Sequence, residues 1–233
     1  MFIAENLAHI IENINSARNK ANNIRRNISN NVKLVAVTKN HDVAAMEEAI
    51  AAGVVTIGEN RIQEATEKKK AITSSVEWHL IGHLQTNKVR QAVALFDMIQ
   101  SVDSKRLAIE IDHAAGKIVK RQDILIQINV AHEETKFGIT AKEVMSLGRF
   151  ISTLENVRLC GLMTVAPFND DTELTRPIFR EMYQLFLELR EANLVNTKVE
   201  WLSMGMTNDY QVAIEEGSNL VRIGTGIFGQ RQY

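Results

Sequence analysis

The chain has 233 residues, a length that one α/β barrel often uses in full, so no domain boundary is demanded. Apolar residues make up 45% and charged residues 24%, the balance of a folded globule with a sizeable core, which excludes intrinsic disorder. Lys plus Arg total 27 against 28 Asp plus Glu, so no positive excess draws the molecule to nucleic acid or to an anionic membrane.

Met1-Phe-Ile-Ala-Glu-Asn6 lacks the basic and apolar regions of a secretory leader, and no apolar run approaches the about 18 residues of a membrane span. The first 30 residues carry Leu7, Ile10, Ile11, Ile14, Ala17, Ala21, Ile24 and Ile28 at helical spacing, which predicts an amphipathic N-terminal helix. Next comes the β-branched run Leu34-Val-Ala-Val-Thr-Lys39, followed by a helix from Val43 to Ala52 closed by Gly53 at C′. The alternation repeats through strand candidates at Val54–Asn60, Glu77–Gly82, Met98–Asp103, Ile124–Val130, Leu159–Val165, Glu200–Gly205 and Leu220–Thr225. Between them, Ser104 caps Lys105–Val119, Thr140 and Glu143 form a capping box, and Pro177 sits in the first turn after Thr175. Strands alternating with helices run parallel, and eight such units close into a single (β/α)8 TIM barrel spanning residues 1–233. An open doubly wound sheet is the alternative. Cys160, the one cysteine, cannot close an intramolecular disulfide and reads as a small buried hydrophobe. A reducing, cytoplasmic setting follows as the expectation.

Barrel active sites form at the C-terminal ends of the strands, and here those ends are polar. Lys39 lies at period two from Val35 and Val37; a desolvated amine there has a lowered pKa and becomes a nucleophile toward an aldehyde or ketone. The bland alternative is a lysine snorkelling out of the barrel mouth. Gly224-Thr225-Gly226 follows the eighth strand, where exposed backbone N–H groups suit a phosphate. Arg222, mid-strand between Val221 and Ile223, needs an acceptor, either Glu200 or a ligand atom. His79 and His83 are four apart but lack the further ligands of a metal site; His79 alone reads as a ligand contact or a satisfied core histidine. Lys68-Lys-Lys70 reads as a solvated helix face rather than a phosphate patch.

Lys39 within Leu-Val-Ala-Val-Thr-Lys, Ile57-Gly-Glu-Asn60, Trp78-His-Leu-Ile-Gly82, Leu84-Gln85, Asn87-Lys88, Gly161-Leu-Met163, Leu202-Ser-Met-Gly-Met206, Asp209 and Val221-Arg-Ile-Gly-Thr-Gly-Ile-Phe-Gly229 together resemble the YggS/PROSC family across essentially the whole chain. Departures are His83, where proline is usual, Arg61, where an aromatic is common, and the longer Thr164-Val-Ala-Pro167. The resemblance implies an alanine racemase N-terminal-domain-like barrel that binds pyridoxal 5′-phosphate (PLP). It implies that Lys39 carries PLP as a Schiff base, that Ser203, Met204, Gly224 and Thr225 hold the phosphate, that Arg222 faces the pyridine nitrogen, and that Asn60 and His79 line the pocket. The implied role is PLP, vitamin B6 and amino-acid homeostasis without established turnover, with transient delivery to PLP-dependent apo-enzymes, by a monomer.

An amino-acid racemase shares the barrel and the lysine, but racemisation needs a second acid–base group, which alanine racemase takes as a tyrosine from a separate domain. Here Tyr183 and Tyr210 fall on helix-like segments, and the chain given stops at Tyr233, so binding is preferred to turnover. A lysine-dependent aldolase acting on a phosphorylated sugar is the remaining alternative.

Overall fold

The computed structural model describes residues 2–24, 31–131, 133 and 136–229. Ile28, the side chain of Ile24, and Tyr233 lie outside the described residues. Eight strands, β1 (Lys33–Val37), β2 (Thr56–Glu59), β3 (Glu77–Leu80), β4 (Met98–Val102), β5 (Gln122–Ile128), β6 (Val157–Thr164), β7 (Thr197–Met206) and β8 (Leu220–Ile223), close into a barrel in chain order. Every neighbouring pair is parallel, including β1 with β8. The crossovers are α2 (Val43–Ala51), α3 (Ile62–Ala71), α4 (Val89–Leu95), α5 (Lys105–Lys117), α6 (Val144–Ile151), α7 (Arg176–Glu191) and α8 (Tyr210–Glu215), with the short α9 (Thr225–Phe228) after β8.

Local chemistry sets the helix ends. Ser104 accepts from the Leu107 amide, and Asp42 from that of Ala45. Glu143 reaches back 2.9 Å to the Thr140 amide. Gly53 ends the α2 turn at φ 108°, a left-handed conformation. Strands β5, β6 and β7 start two or three residues before the runs read in the sequence, whereas β2 starts two residues after its own. Gln122 and Asp123 already pair with Val157 and Arg158, and Asp123 holds Arg158 through two 2.7 Å hydrogen bonds. Those polar residues obscure the start of β5 because they occupy the barrel's lower rim, not its core.

Period-two alternation divides the barrel wall into two cores. Ala36, Ile57, Leu80, Ile99, Leu202 and Val221 face outward and merge with the buried sides of the helices. Met98, Leu125, Cys160 and Met163 form a separate apolar cluster in the lumen, with Trp201 against it. Cys160 is buried, and burial pushes its thiol up to about 12, so it is an inert filler. Gly161 is required at its position: φ is 145° and a Cβ would lie 1.8 Å from the Trp201 carbonyl oxygen.

The N-terminal helix α1 (Phe2–Ile24) lies outside the ring against α2, α8 and α9, burying Leu7, Ile10, Ile14, Ala17 and Ala21 while Ile11 stays exposed. Asn6 fastens it by donating to the Ile227 carbonyl at 2.9 Å. Among the described residues, no helix is long and apolar enough to cross a membrane.

Candidate ligand site at the barrel mouth

Strand β1 ends at Val37, so Lys39 stands two residues above it on a turn and is partly exposed. The backbone on both sides of it is pinned. Thr38 is fully buried; its amide donates to the Gly58 carbonyl, its hydroxyl donates to Glu59 Oε1 at 2.6 Å, and its carbonyl accepts from Lys68 Nζ at 2.7 Å. Asn40, at φ 62°, donates its amide to Glu64 Oε1 at 2.6 Å. Lys68 joins the two sides, giving hydrogen bonds to Glu59 at 2.8 Å and to Glu64 at 2.6 Å.

This corrects the reading of Lys68-Lys-Lys70 as a solvated face. Lys69 and Lys70 are exposed, but Lys68 is buried and belongs to the support under Lys39. Burial raises the Glu59 carboxyl above its ordinary value even though Lys68 and Thr38 pull it down. Burial also acts on Glu64, but the hydrogen bonds from Lys68 and the Asn40 amide outweigh it and lower that carboxyl.

One strand over, Asn60 follows β2, and its side-chain oxygen Oδ1 is buried without a hydrogen-bond partner among the described residues. An orphaned buried acceptor costs about 1–3 kcal/mol, which a ligand donor would recover. Gly82 packs on this residue so closely that a Cβ would lie 2.3 Å from the Asn60 carbonyl oxygen. On the other side of β1, Gly224 sits against Val37, and the amides of Gly224 and Gly226 both point at Thr207 Oγ1, at 3.3 and 3.4 Å. These long bonds mark a turn whose N–H groups converge on one oxygen, at the start of α9 where Thr225 lies. Lys39, Asn60, Gly224 and Thr225 thus follow the ends of three adjacent strands, β1, β2 and β8. An amine, an unsatisfied amide and convergent N–H donors suit an aldehyde that carries a phosphate.

Arg222 is buried in β8 below them. Its Nη1 donates to Ser203 Oγ and its Nη2 to the Thr164 carbonyl at 2.7 Å. Glu200, weighed from the sequence as its acceptor, instead pairs with Lys198 at 2.9 Å. Burial lowers the guanidinium to about 10, against the opposing charge of Asp209, and leaves it protonated at neutral pH. The Ser203 hydroxyl is engaged in the lumen, and the Met204 side chain faces the outer core, so neither side chain reaches the Gly224 turn. His79 is fully buried, with Nδ1 2.8 Å from Gln100 Nε2. His83 points elsewhere, its ring stacked on Phe137 at 3.7 Å and 10°. Among the described residues, no group of three or more His, Cys, Asp or Glu side chains is arranged to hold a metal ion.

The family model described as alanine racemase, N-terminal domain, matches residues 6–232. A pyridoxal phosphate homeostasis protein of Aquifex aeolicus is 39% identical over 234 residues, covering 100% of both chains. This chain belongs to the pyridoxal phosphate homeostasis family. Two solved structures of PipY of Synechococcus elongatus are similar to it. The one without PLP has a TM-score of 0.81 at 36% identity, covering 91% of this chain and 99% of that one. The one with PLP bound has a TM-score of 0.79 at 34% identity, covering 91% and 100%.

Gln100, Glu59, Lys68 and Glu64 escaped the sequence reading of this family member. The signal for Gln100 was its inward parity: it lies at period two from Met98 on β4 and is fully buried. The signal for Lys68 was its i,i+4 spacing from Glu64.

Proposed function

We propose that this protein binds PLP reversibly through Lys39 and serves intracellular PLP and amino-acid homeostasis as a carrier rather than an enzyme. The observation that carries this is the pinned Lys39 turn, set between the orphaned Asn60 oxygen and the Gly224–Gly226 turn. PLP supplies an aldehyde that an amine captures reversibly.

Lys39 is the capturing amine. Gly224 and Thr225 offer backbone N–H groups to the phosphate. The proposed roles of Ser203 and Met204 on that phosphate would fall to their backbone, because the Ser203 hydroxyl and the Met204 side chain are already placed elsewhere. Asn60 accepts from a ligand donor. Arg222 can only donate, so a pyridine nitrogen facing it stays unprotonated and is a poorer electron sink, which favours holding over turnover. His79 supports the pocket from beneath. The same reading takes the chain as one barrel domain acting as a cytoplasmic monomer that passes PLP to apo-enzymes; the even charge balance and single buried cysteine agree with it.

The test is borohydride reduction of PLP-incubated protein followed by peptide mass spectrometry. A pyridoxyl label concentrated on Lys39, and lost in Lys39→Ala with no change in melting temperature, is the expected result. Label spread over surface lysines with none on Lys39 would refute the reading. Transfer is tested by apo-enzyme reactivation in the presence of an aldehyde trap, where loaded protein should outperform free PLP.

A further inference from the structure

Arg222 opens a line of hydrogen bonds that crosses the barrel lumen. Ser203 on β7 accepts a hydrogen bond from Arg222 Nη1 and donates its own hydroxyl to Gln100 Oε1 on β4, at 2.6 Å. Gln100 Nε2 lies 2.8 Å from His79 Nδ1 on β3. His79 Nε2 lies 3.0 Å from Glu77 Oε1 on the same strand, within reach of the charge though without the alignment of a full hydrogen bond. The other Glu77 oxygen accepts from Lys33 Nζ at 2.6 Å and Thr56 Oγ1 at 3.1 Å, at the lower rim. Ser203, Gln100, His79 and Arg222 are all buried, so bulk water does not reach them.

The two ends of this line have fixed polarity. A guanidinium can only donate, and an ionised carboxylate can only accept. Each group between them has both a donor and an acceptor to offer, so the ends set the direction of every link. Ser203 accepts from Arg222 and must give its proton to a Gln100 oxygen. That turns the Gln100 amide nitrogen toward His79, so His79 Nδ1 must be bare and accept. The single imidazole proton then resides on Nε2, facing Glu77. Reversing any one link would leave two donors or two acceptors face to face in the lumen, at a cost of about 1–3 kcal/mol each.

We propose that Gln100 and His79 are positioning residues for Arg222: with Ser203 they form a one-way hydrogen-bond chain, its His79 end facing the Glu77 carboxylate, that fixes the guanidinium beneath the ligand. The lower rim of the barrel is thereby coupled to the mouth through oriented dipoles, with no charge moving. The coupling to a ligand rests on the proposed PLP reading, whereas the proton positions do not.

The experiment is 15N-histidine NMR on the full chain, first without PLP and then during a PLP titration. His79 is assigned by the resonance lost in His79→Asn. The expected unloaded spectrum shows a proton on Nε2 and a bare Nδ1. Gln100→Glu places an acceptor-only group against Nδ1 and should put a proton on that nitrogen. PLP should shift the His79 resonances in the wild type; in Gln100→Leu that response should vanish and PLP affinity fall on the order of tenfold. A proton on Nδ1 in the unsubstituted protein, or an Nδ1 that stays bare in Gln100→Glu, overturns the chain, and the first needs no variant to fold. A wild type that labels on Lys39 yet shows no His79 response to PLP overturns the coupling. Absence of label on Lys39 refutes the ligand reading instead, and leaves the proton positions to be judged from the unloaded spectrum.

Discussion

Replacing Lys68 with methionine removes the cation that joins both sides of the Lys39 turn while keeping a side chain of similar length. Three hydrogen bonds go with it, to the Thr38 carbonyl, Glu59 and Glu64. The Glu59 side chain is 0% exposed, so its carboxylate is left in a site that solvent does not reach. Breaking a buried pair from one side costs about 3–5 kcal/mol. At about 2–4 °C per kcal/mol for a chain of this size, the melting temperature should fall by roughly 6–20 °C at neutral pH. The deficit has a definite pH dependence. Burial already holds the Glu59 carboxyl above 4.5, and loss of Lys68 removes the groups that lower it. An acid whose folded pKa is raised binds its proton more tightly when folded, so its stabilising effect is full at low pH and is lost as pH rises through the folded value. The variant should therefore sit closest to the wild type near pH 4.5 and fall away toward pH 7. Thermal melts followed by circular dichroism across about pH 4.5–7.5 read this out. A drop below about 3 °C at neutral pH, or one equal at both ends of the range, would refute a buried Glu59–Lys68 pair.

Glu77 shows the opposite sign. Burial raises its carboxyl, but the facing His79 N–H and the Lys33 ammonium outweigh that and lower it, so its contribution is present above about 4.5 and shrinks as pH falls below that value. Because the side chain is 33% exposed, Glu77→Gln should cost only about 1 kcal/mol at pH 7, seen as a lower urea midpoint that converges on the wild type in acid. Two glycines separate backbone strain from collision. Gly53→Ala meets nothing within 4 Å and should lose only the about 1–2 kcal/mol of a left-handed conformation, whereas Gly161→Ala drives its Cβ into the Trp201 carbonyl and should yield insoluble protein. Equal soluble yields for the two would contradict the packing described for β6 and β7.

The barrel was legible because alternation of strands with helices is a long-range pattern that single errors do not destroy. Its finer edges were not. Lys39 has the right parity to continue β1, yet the strand stops at Val37 because Thr38 turns its carbonyl to Lys68 instead of to a neighbouring strand. The acceptor for Arg222 was sought among carboxylates, which is where a sequence directs attention; the actual acceptors are a hydroxyl on β7 and a carbonyl on β6. Gln100 carries no charge and sits between Ile99 and Ser101, so its inward parity alone marks it, and only closure of the barrel sets it opposite Ser203. Lys68 failed for a different reason. The spacing of Glu64 and Lys68 fits a solvated helix pair equally well, and burial of the lysine depends on Glu59 and Thr38 from two other elements.

Buried ion pairs are weak evidence for stability, since well-packed apolar replacements are often neutral or stabilising by about 1–4 kcal/mol. The Glu59–Lys68 pair can therefore be asked whether it serves stability or placement. In Glu59→Leu combined with Lys68→Met no charge is stranded, so the melting temperature should return to the wild-type value or exceed it, unlike that of Lys68→Met alone. The backbone around Lys39 would nonetheless lose its tie between Thr38 and α3. Capture of PLP by Lys39, timed by borohydride quenching, should then slow by roughly tenfold or more, as expected when a reacting group loses its fixed orientation. Recovery of stability together with an unchanged capture rate would show that the pair only fills space. Recovery with slowed capture would show that the charges are kept, at the expense of stability, to aim the amine.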